Sequence, residues 1–143
     1  MISDRINALV KEFTAFKDWE DRYKHLIELG KRLPPMNEVH RVEGNKVKGC
    51  QSQVWLFAEL RGDKIYFEAD SDASIVKGIV ALLVTVYSGS TPDEILTTKP
   101  TFLEDLGLRE HLSMSRANGL NAMVKQISFF AMAYKAKLQM SQK

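Results

Sequence analysis

The chain is poor in cysteine: it holds one, Cys50, in 143 residues. A lone thiol cannot close an internal disulfide, so the disulfide-stapled secreted class is excluded and a reducing, cytoplasmic setting is the expectation. Nor can one thiol hold an iron–sulfur cluster, which draws on several thiolates. His25, His40 and His111 are scattered along the chain and form none of the close ligand pairs of a zinc site, so no metal is expected. A charge excess is missing too. Twenty Lys and Arg against 18 Asp and Glu leave +2, too weak a field to imply nucleic acid or a membrane surface as partner. The longest apolar run, Ile79 to Val86, is interrupted by Thr85 and falls well short of the ~20 residues of a bilayer span. The start, Met1-Ile2-Ser3-Asp4-Arg5, lacks the apolar core of a signal peptide. Gly44, Gly49 and Gly62 do not have the spacing of a phosphate-binding loop. Repeats, linkers and low-complexity tracts are absent.

What is present is the patterning of one domain, residues 1–143, long enough to bury most of the surface its unfolded form exposes. Ile6, Leu9, Val10, Phe13 and Phe16 recur at helical spacing after a Ser3 cap. Asp18 caps a second helix with Trp19, Tyr23, Leu26, Ile27 and Gly30 on one side, ended by Leu33-Pro34-Pro35. Residues 36 to 48 lose periodicity and read as a charged loop with room for one short strand. Val54, Leu56, Ala58 and Leu60 then alternate with Trp55, Phe57 and Glu59, and Ile65, Phe67 and Ala69 with Tyr66 and Glu68. Arg61-Gly62-Asp63-Lys64 between them predicts an antiparallel hairpin. Asp70-Ser71-Asp72 offers caps for a helix apolar on much of its circumference, from Ile75 to Val86. Gly78 within it costs about 1 kcal/mol of helix propensity and marks a close packing contact. Thr91-Pro92-Asp93-Glu94 is a capping box with proline at the first helical position. Phe102, Leu103, Leu106 and Leu108 line a connecting segment. The final helix, capped by Ser113 or Ser115, turns Leu120, Met123, Val124, Ile127, Phe130, Ala131 and Tyr134 onto the sheet, and the polar tail from Leu138 to Lys143 is expected to fray.

The chemistry concentrates in Gly49-Cys50-Gln51-Ser52-Gln53-Val54-Trp55. Gly49 suits a tight turn that presents the next side chain, and Lys46 and Lys48 predict a field that favours the thiolate. Gln51, Ser52 and Gln53 supply neutral donors and acceptors. None of these is a general base. Hydrolytic cysteines pair with a histidine, which would require His40 or His111 to fold against Cys50; thiol–persulfide exchange needs only a thiolate attacking sulfur. The bland alternative is a small buried hydrophobe, the common fate of free cysteine. Arg116 stands at a helix start, where the macrodipole disfavours a cation, so it is either simply exposed or placed for a partner or the sulfur site. The carboxylates of Glu59, Glu68, Asp70 and Asp72 are expected to be solvated.

The run GCQSQVW resembles the signature of the SufE family, the sulfur acceptors of cysteine desulfurases. The likeness extends to Trp19-Glu20-Asp21-Arg22-Tyr23 through Ile27-Glu28-Leu29-Gly30-Lys31-Arg32-Leu33-Pro34, to Asp70-Ser71-Asp72-Ala73-Ser74-Ile75-Val76-Lys77-Gly78, and to Ser115-Arg116-Ala117-Asn118-Gly119-Leu120. The resemblance implies a compact α+β fold, a small antiparallel sheet packed by several helices, similar to the cluster scaffolds of IscU type. It implies a protein that is no stand-alone enzyme. A pyridoxal-phosphate (PLP) desulfurase of SufS or CsdA type, which alone carries the cofactor, would pass persulfide sulfur to Cys50, and a cluster scaffold or other acceptor would take it onward. Gly49, Gln51, Ser52, Gln53 and Arg116 would support the site or the partner surface. A homodimer is left open. A contrasting reading makes the chain a non-covalent allosteric activator of a desulfurase, with Cys50 structural.

Overall fold

The computed structural model describes residues 2–141, apart from the Arg109 side chain; Met1 of the expected N-terminal run and Gln142 and Lys143 of the expected tail lie outside it. Helix α1 (Ile2–Thr14) buries Leu9 and Phe13 and takes in Ser3 as a helical residue, where a cap was expected. Helix α2 (Trp19–Arg32) begins after Asp18, whose carboxylate makes no capping bond, and ends as Leu33 turns extended ahead of the prolines. Strands β1 (Val54–Arg61) and β2 (Lys64–Ser71) form the hairpin, in register from Val54 opposite Ser71 to Arg61 opposite Lys64. Gly62 opens its two-residue turn at φ +63°, a conformation suited to glycine.

The two faces of this hairpin are covered differently. Val54, Leu56, Ala58, Phe67 and Ala69 meet helices. On that side lie α3 (Ser74–Tyr87), with Ile79, Leu82 and Val86 wholly buried, and α7 (Met114–Ser141), whose Tyr134 hydroxyl donates to the Ala58 carbonyl at 2.9 Å. The opposite face carries Trp55 and Phe57, and residues 37–41 of the aperiodic segment lie over it, while Val47 at its end runs along β1 and packs in the core. His40 stacks on Phe57 with ring centroids 3.6 Å apart, and the Arg41 guanidinium sits 5.2 Å from the Trp55 centroid. Two 3-10 turns, Glu38–His40 and Glu43–Asn45, give this segment its shape. The short strand expected there reduces to one antiparallel bridge, Lys46 with Trp55.

Asp70 and Ser71 belong to β2, and the cap position of α3 falls to Ala73. Asp70 is also not solvated: it is 7% exposed and pairs with Arg41 and, at 3.4 Å, with Lys77. The expectation of caps and solvated carboxylates fails here because a buried anion found two cations from other elements, which local sequence does not display. Asp72 instead binds back to Gln53, the residue before β1, accepting from its backbone amide at 3.0 Å. Gly78 does mark a close contact, since a Cβ there would run into the Leu26 carbonyl of α2, and one at Gly30 would lie 2.8 Å from the Gly78 nitrogen. Helix α4 (Pro92–Thr97) carries the complete capping box. Short helices α5 (Phe102–Asp105) and α6 (Leu108–His111) put Phe102, Leu103, Leu106 and Leu108 into the core. Ser113 caps α7 through the Arg116 amide at 3.3 Å, and the helix runs on to Ser141, past the point where fraying was expected. Among the described residues, no helix is long and apolar enough to cross a membrane.

Candidate functional site

Gly49 adopts φ +93°, a region that L side chains rarely enter, and a Cβ on it would approach Ala122 of α7 at 3.4 Å. The turn it makes swings Cys50 toward the first turns of α7. There the thiol donates to the Gly119 carbonyl at 3.6 Å. Gly119 is buried, and a Cβ at this position would come within 3.5 Å of the sulfur. Its lack of a side chain gives the thiol its seat.

A cavity of about 310 Å³ opens in front of Cys50. Its polar rim is Gln51, Ser52, Ser113, Ser115 and Arg116, and its floor is apolar, with Val76 and Ile79 of α3 and Met123 of α7. Three sequence elements thus meet: the cysteine loop, the first half of the central helix α3 and the start of α7. Of the residues singled out in the sequence, Cys50, Gln51, Ser52 and Arg116 share this cavity, with Gly49 as the hinge behind it. Gln53 does not line it. Its backbone and side-chain nitrogens bind Asp72 at 3.0 and 3.4 Å, and its carbonyl accepts from Ser71 at 2.8 Å, so it fastens the loop to β2. Trp55 faces the other side of the sheet beneath Arg41.

The electrostatics differ from the expectation. Lys46 and Lys48 precede Cys50 in sequence but line a separate depression, and Lys46 pairs with Glu43 at 2.9 Å. Their charge is directed elsewhere, and burial pushes the Cys50 thiol above its ordinary pKa. His40 is held by Phe57 and Glu68, and His111 stacks on Trp19, so neither imidazole lines the cavity. Among the described residues no carboxylate lines it either. The walls therefore offer a nucleophile, hydroxyl and amide groups, and one cation, with no group able to take up a proton at neutral pH. Among the described residues, no three His, Cys, Asp or Glu side chains gather as metal ligands. Gly119, Ser113, Val76 and Ile79 were not foreseen as site residues. The Ser-Arg-Ala-Asn-Gly-Leu block was the one signal pointing to that helix start.

A two-stranded sheet backed by helices, with one half-buried thiol in a cavity that no imidazole or carboxylate lines among the described residues, defines a small α+β protein that presents a single cysteine. The chain belongs to the SufE family: the family model described as an Fe-S metabolism associated domain matches residues 7–131. An uncharacterized SufE-like protein of Rhizobium meliloti is 45% identical over 129 residues, covering 85% of this chain and 91% of its own length. One from Synechocystis is 42% identical over 126 residues, covering 88% of this chain and 79% of its own. In three dimensions the chain is similar to the solution structure of a hypothetical protein from Thermus thermophilus, with a TM-score of 0.76 at 24% identity, covering 90% of this chain and 94% of the other.

Proposed function

We propose that this protein is a sulfur acceptor for a PLP-dependent cysteine desulfurase in iron–sulfur metabolism, and that Cys50 carries the sulfur. The observation that supports this most directly is the seating of the thiol in a cavity lined by neutral hydroxyl and amide groups and Arg116, without imidazole or carboxylate among the described residues. Hydrolysis needs a base to activate water, whereas sulfur exchange does not. In the step, Cys50 gives up its proton to solvent, from which the departing desulfurase thiolate can regain one, and the Cys50 thiolate attacks the terminal sulfur of the desulfurase persulfide. A new S–S bond forms at Cys50, the old one breaks, and the desulfurase cysteine departs as a thiolate, so no external oxidant or reductant is consumed. The added sulfur stands about 2.05 Å beyond Sγ, with the cavity to receive it. The α7 N-terminus and Arg116 supply positive potential for an anionic sulfur there. The protein is thus a partner that clears the desulfurase of its product and holds the sulfur for a cluster scaffold or other acceptor.

The test is intact and peptide mass spectrometry of the protein mixed with L-cysteine and a cognate desulfurase without reductant. One sulfur atom is expected on the Cys50 peptide, lost on reduction and absent from Cys50→Ser. A desulfurase that is stimulated equally by Cys50→Ser, with no sulfur found on the wild type, would make the chain a non-covalent activator instead.

A further inference from the structure

A second depression, about 360 Å³, lies beside the Cys50 loop and shares no lining residue with the thiol cavity. Lys46, Lys48 and Lys125 surround it, and Leu56, Phe129 and Phe130 form its apolar side. Gly49 is the partition. It sends Cys50 to one side, while a Cβ built on it would lie 3.4 Å from Ala122, which lines the other. Along α7, Gly119 beneath the thiol and Lys125 in the groove are separated by less than two turns, roughly 9 Å of helix rise. The groove and the thiol cavity thus share one helix, on either side of the Gly49 turn.

The groove states the chemistry of its occupant. The 28 residues of α7 include Arg116, Lys125, Lys135 and Lys137 and no Asp or Glu. Lys46 has Glu43 at 2.9 Å, but among the described residues Lys48 and Lys125 form no ion pair. Beside these cations the Phe129 ring is 59% exposed, and Met132 and Met140 extend an uncovered apolar line down the same helix at 50% and 73% exposure. Exposed aromatic and methionine side chains rimmed by charge of one sign are the composition of an interaction surface. A second copy of the chain is a poor occupant, because two such faces would set Lys48 and Lys125 against their own counterparts.

We propose that this groove docks an acidic segment of the desulfurase bearing an apolar side chain, which seats on Phe129 while its carboxylates meet Lys48 and Lys125. This rests on the sulfur-acceptor reading and adds to it the surface that aligns donor and acceptor sulfurs. The binding constant for the desulfurase, measured by calorimetry at low and high salt, tests it with Lys48→Glu/Lys125→Glu and Phe129→Ser. All three side chains are solvent-facing or partly so, and unchanged thermal unfolding and unchanged Cys50 alkylation by iodoacetamide verify the fold and the thiol. Each variant is expected to bind about tenfold or more weakly, and the charge-reversed one to lose the salt dependence of the wild type. Variants that bind and accept sulfur like the wild type overturn the groove and leave the acceptor role standing. Variants that lose binding, in a protein whose wild type never gains sulfur, support the groove and refute the acceptor role. If wild-type protein instead sediments with phosphatidylserine vesicles and the variants do not, while desulfurase affinity is unchanged, the face belongs to a lipid surface and the proposal fails.

Discussion

At Cys50 two neighbours within four residues, Lys46 and Lys48, argued for a thiolate, and burial argues for a thiol. Burial wins because adjacency in sequence says nothing of direction: the positive φ of Gly49 puts the lysines and the sulfur on opposite sides of one turn. On its own, the protein therefore holds the thiol protonated at neutral pH, which keeps its reactivity low. The alkylation rate of Cys50 by iodoacetamide should rise with pH along a curve displaced above that of free cysteine, and should increase at neutral pH when the desulfurase is bound. A midpoint at or below that of free cysteine would show that the resting thiol is already activated. The sign for stability follows from the same raised value. As pH climbs past the ordinary thiol range the unfolded chain loses this proton first, so the contribution of Cys50 to native stability falls until the folded group also ionises. Gly119, whose carbonyl receives the thiol, lies 69 residues away in sequence, and no local pattern links the two.

Helices were legible where a period or a cap is encoded locally. The Thr91 and Glu94 capping box formed as read, α2 starts after Asp18 and stops at the prolines, and the alternation of β1 and β2 gave the hairpin its faces. The 36–48 segment was not legible, since its order comes from His40 and Arg41 stacking on aromatic rings of β1 and not from any repeat of its own. Gly78 shows how a local cost reports a distant contact. Alanine would gain about 1 kcal/mol of helix propensity at that position, but its methyl group would collide with the Leu26 backbone of α2. Backbone atoms cannot swing aside, so the two helices must separate, and overpacking of this kind costs about 1–3 kcal/mol or more. Gly78→Ala is expected to lower unfolding stability by a net ~2 kcal/mol in urea titration. A stabilised variant would mean that α2 and α3 are not so closely packed.

Across the whole molecule, the sheet is a thin layer between helices on one side and residues 37–41 on the other, and Asp70 is the bolt through it. Its carboxylate reaches Arg41 in that segment, Lys77 on α3 at 3.4 Å and the Ser71 amide at 2.8 Å. Removing one partner of a buried charge cluster is costly because the remaining charges lose their compensation. Arg41 and Lys77 keep partial access to water, which softens the loss. Asp70→Asn preserves shape while taking the buried anion from both cations and leaving Arg41 with its exposed partner Glu38 at 3.5 Å, so a loss of about 2–3 kcal/mol is expected. The loss should also be uneven. The α3 side retains its many apolar contacts, whereas the 36–48 segment is left with its ring stacking, the Glu68 bonds to Asn37 and His40, and the Lys46–Trp55 bridge with Val47 beside it. Amide exchange of residues 38–47 should therefore accelerate more than that of α3. This segment also leads into the Cys50 loop, so the Cys50→Ser control and Asp70→Asn should differ. The first is expected to abolish the proposed sulfur transfer with the fold intact. The second loosens the loop and should raise resting alkylation of Cys50 at constant pH, and uniform acceleration of exchange with unchanged alkylation would show that Asp70 secures the core alone.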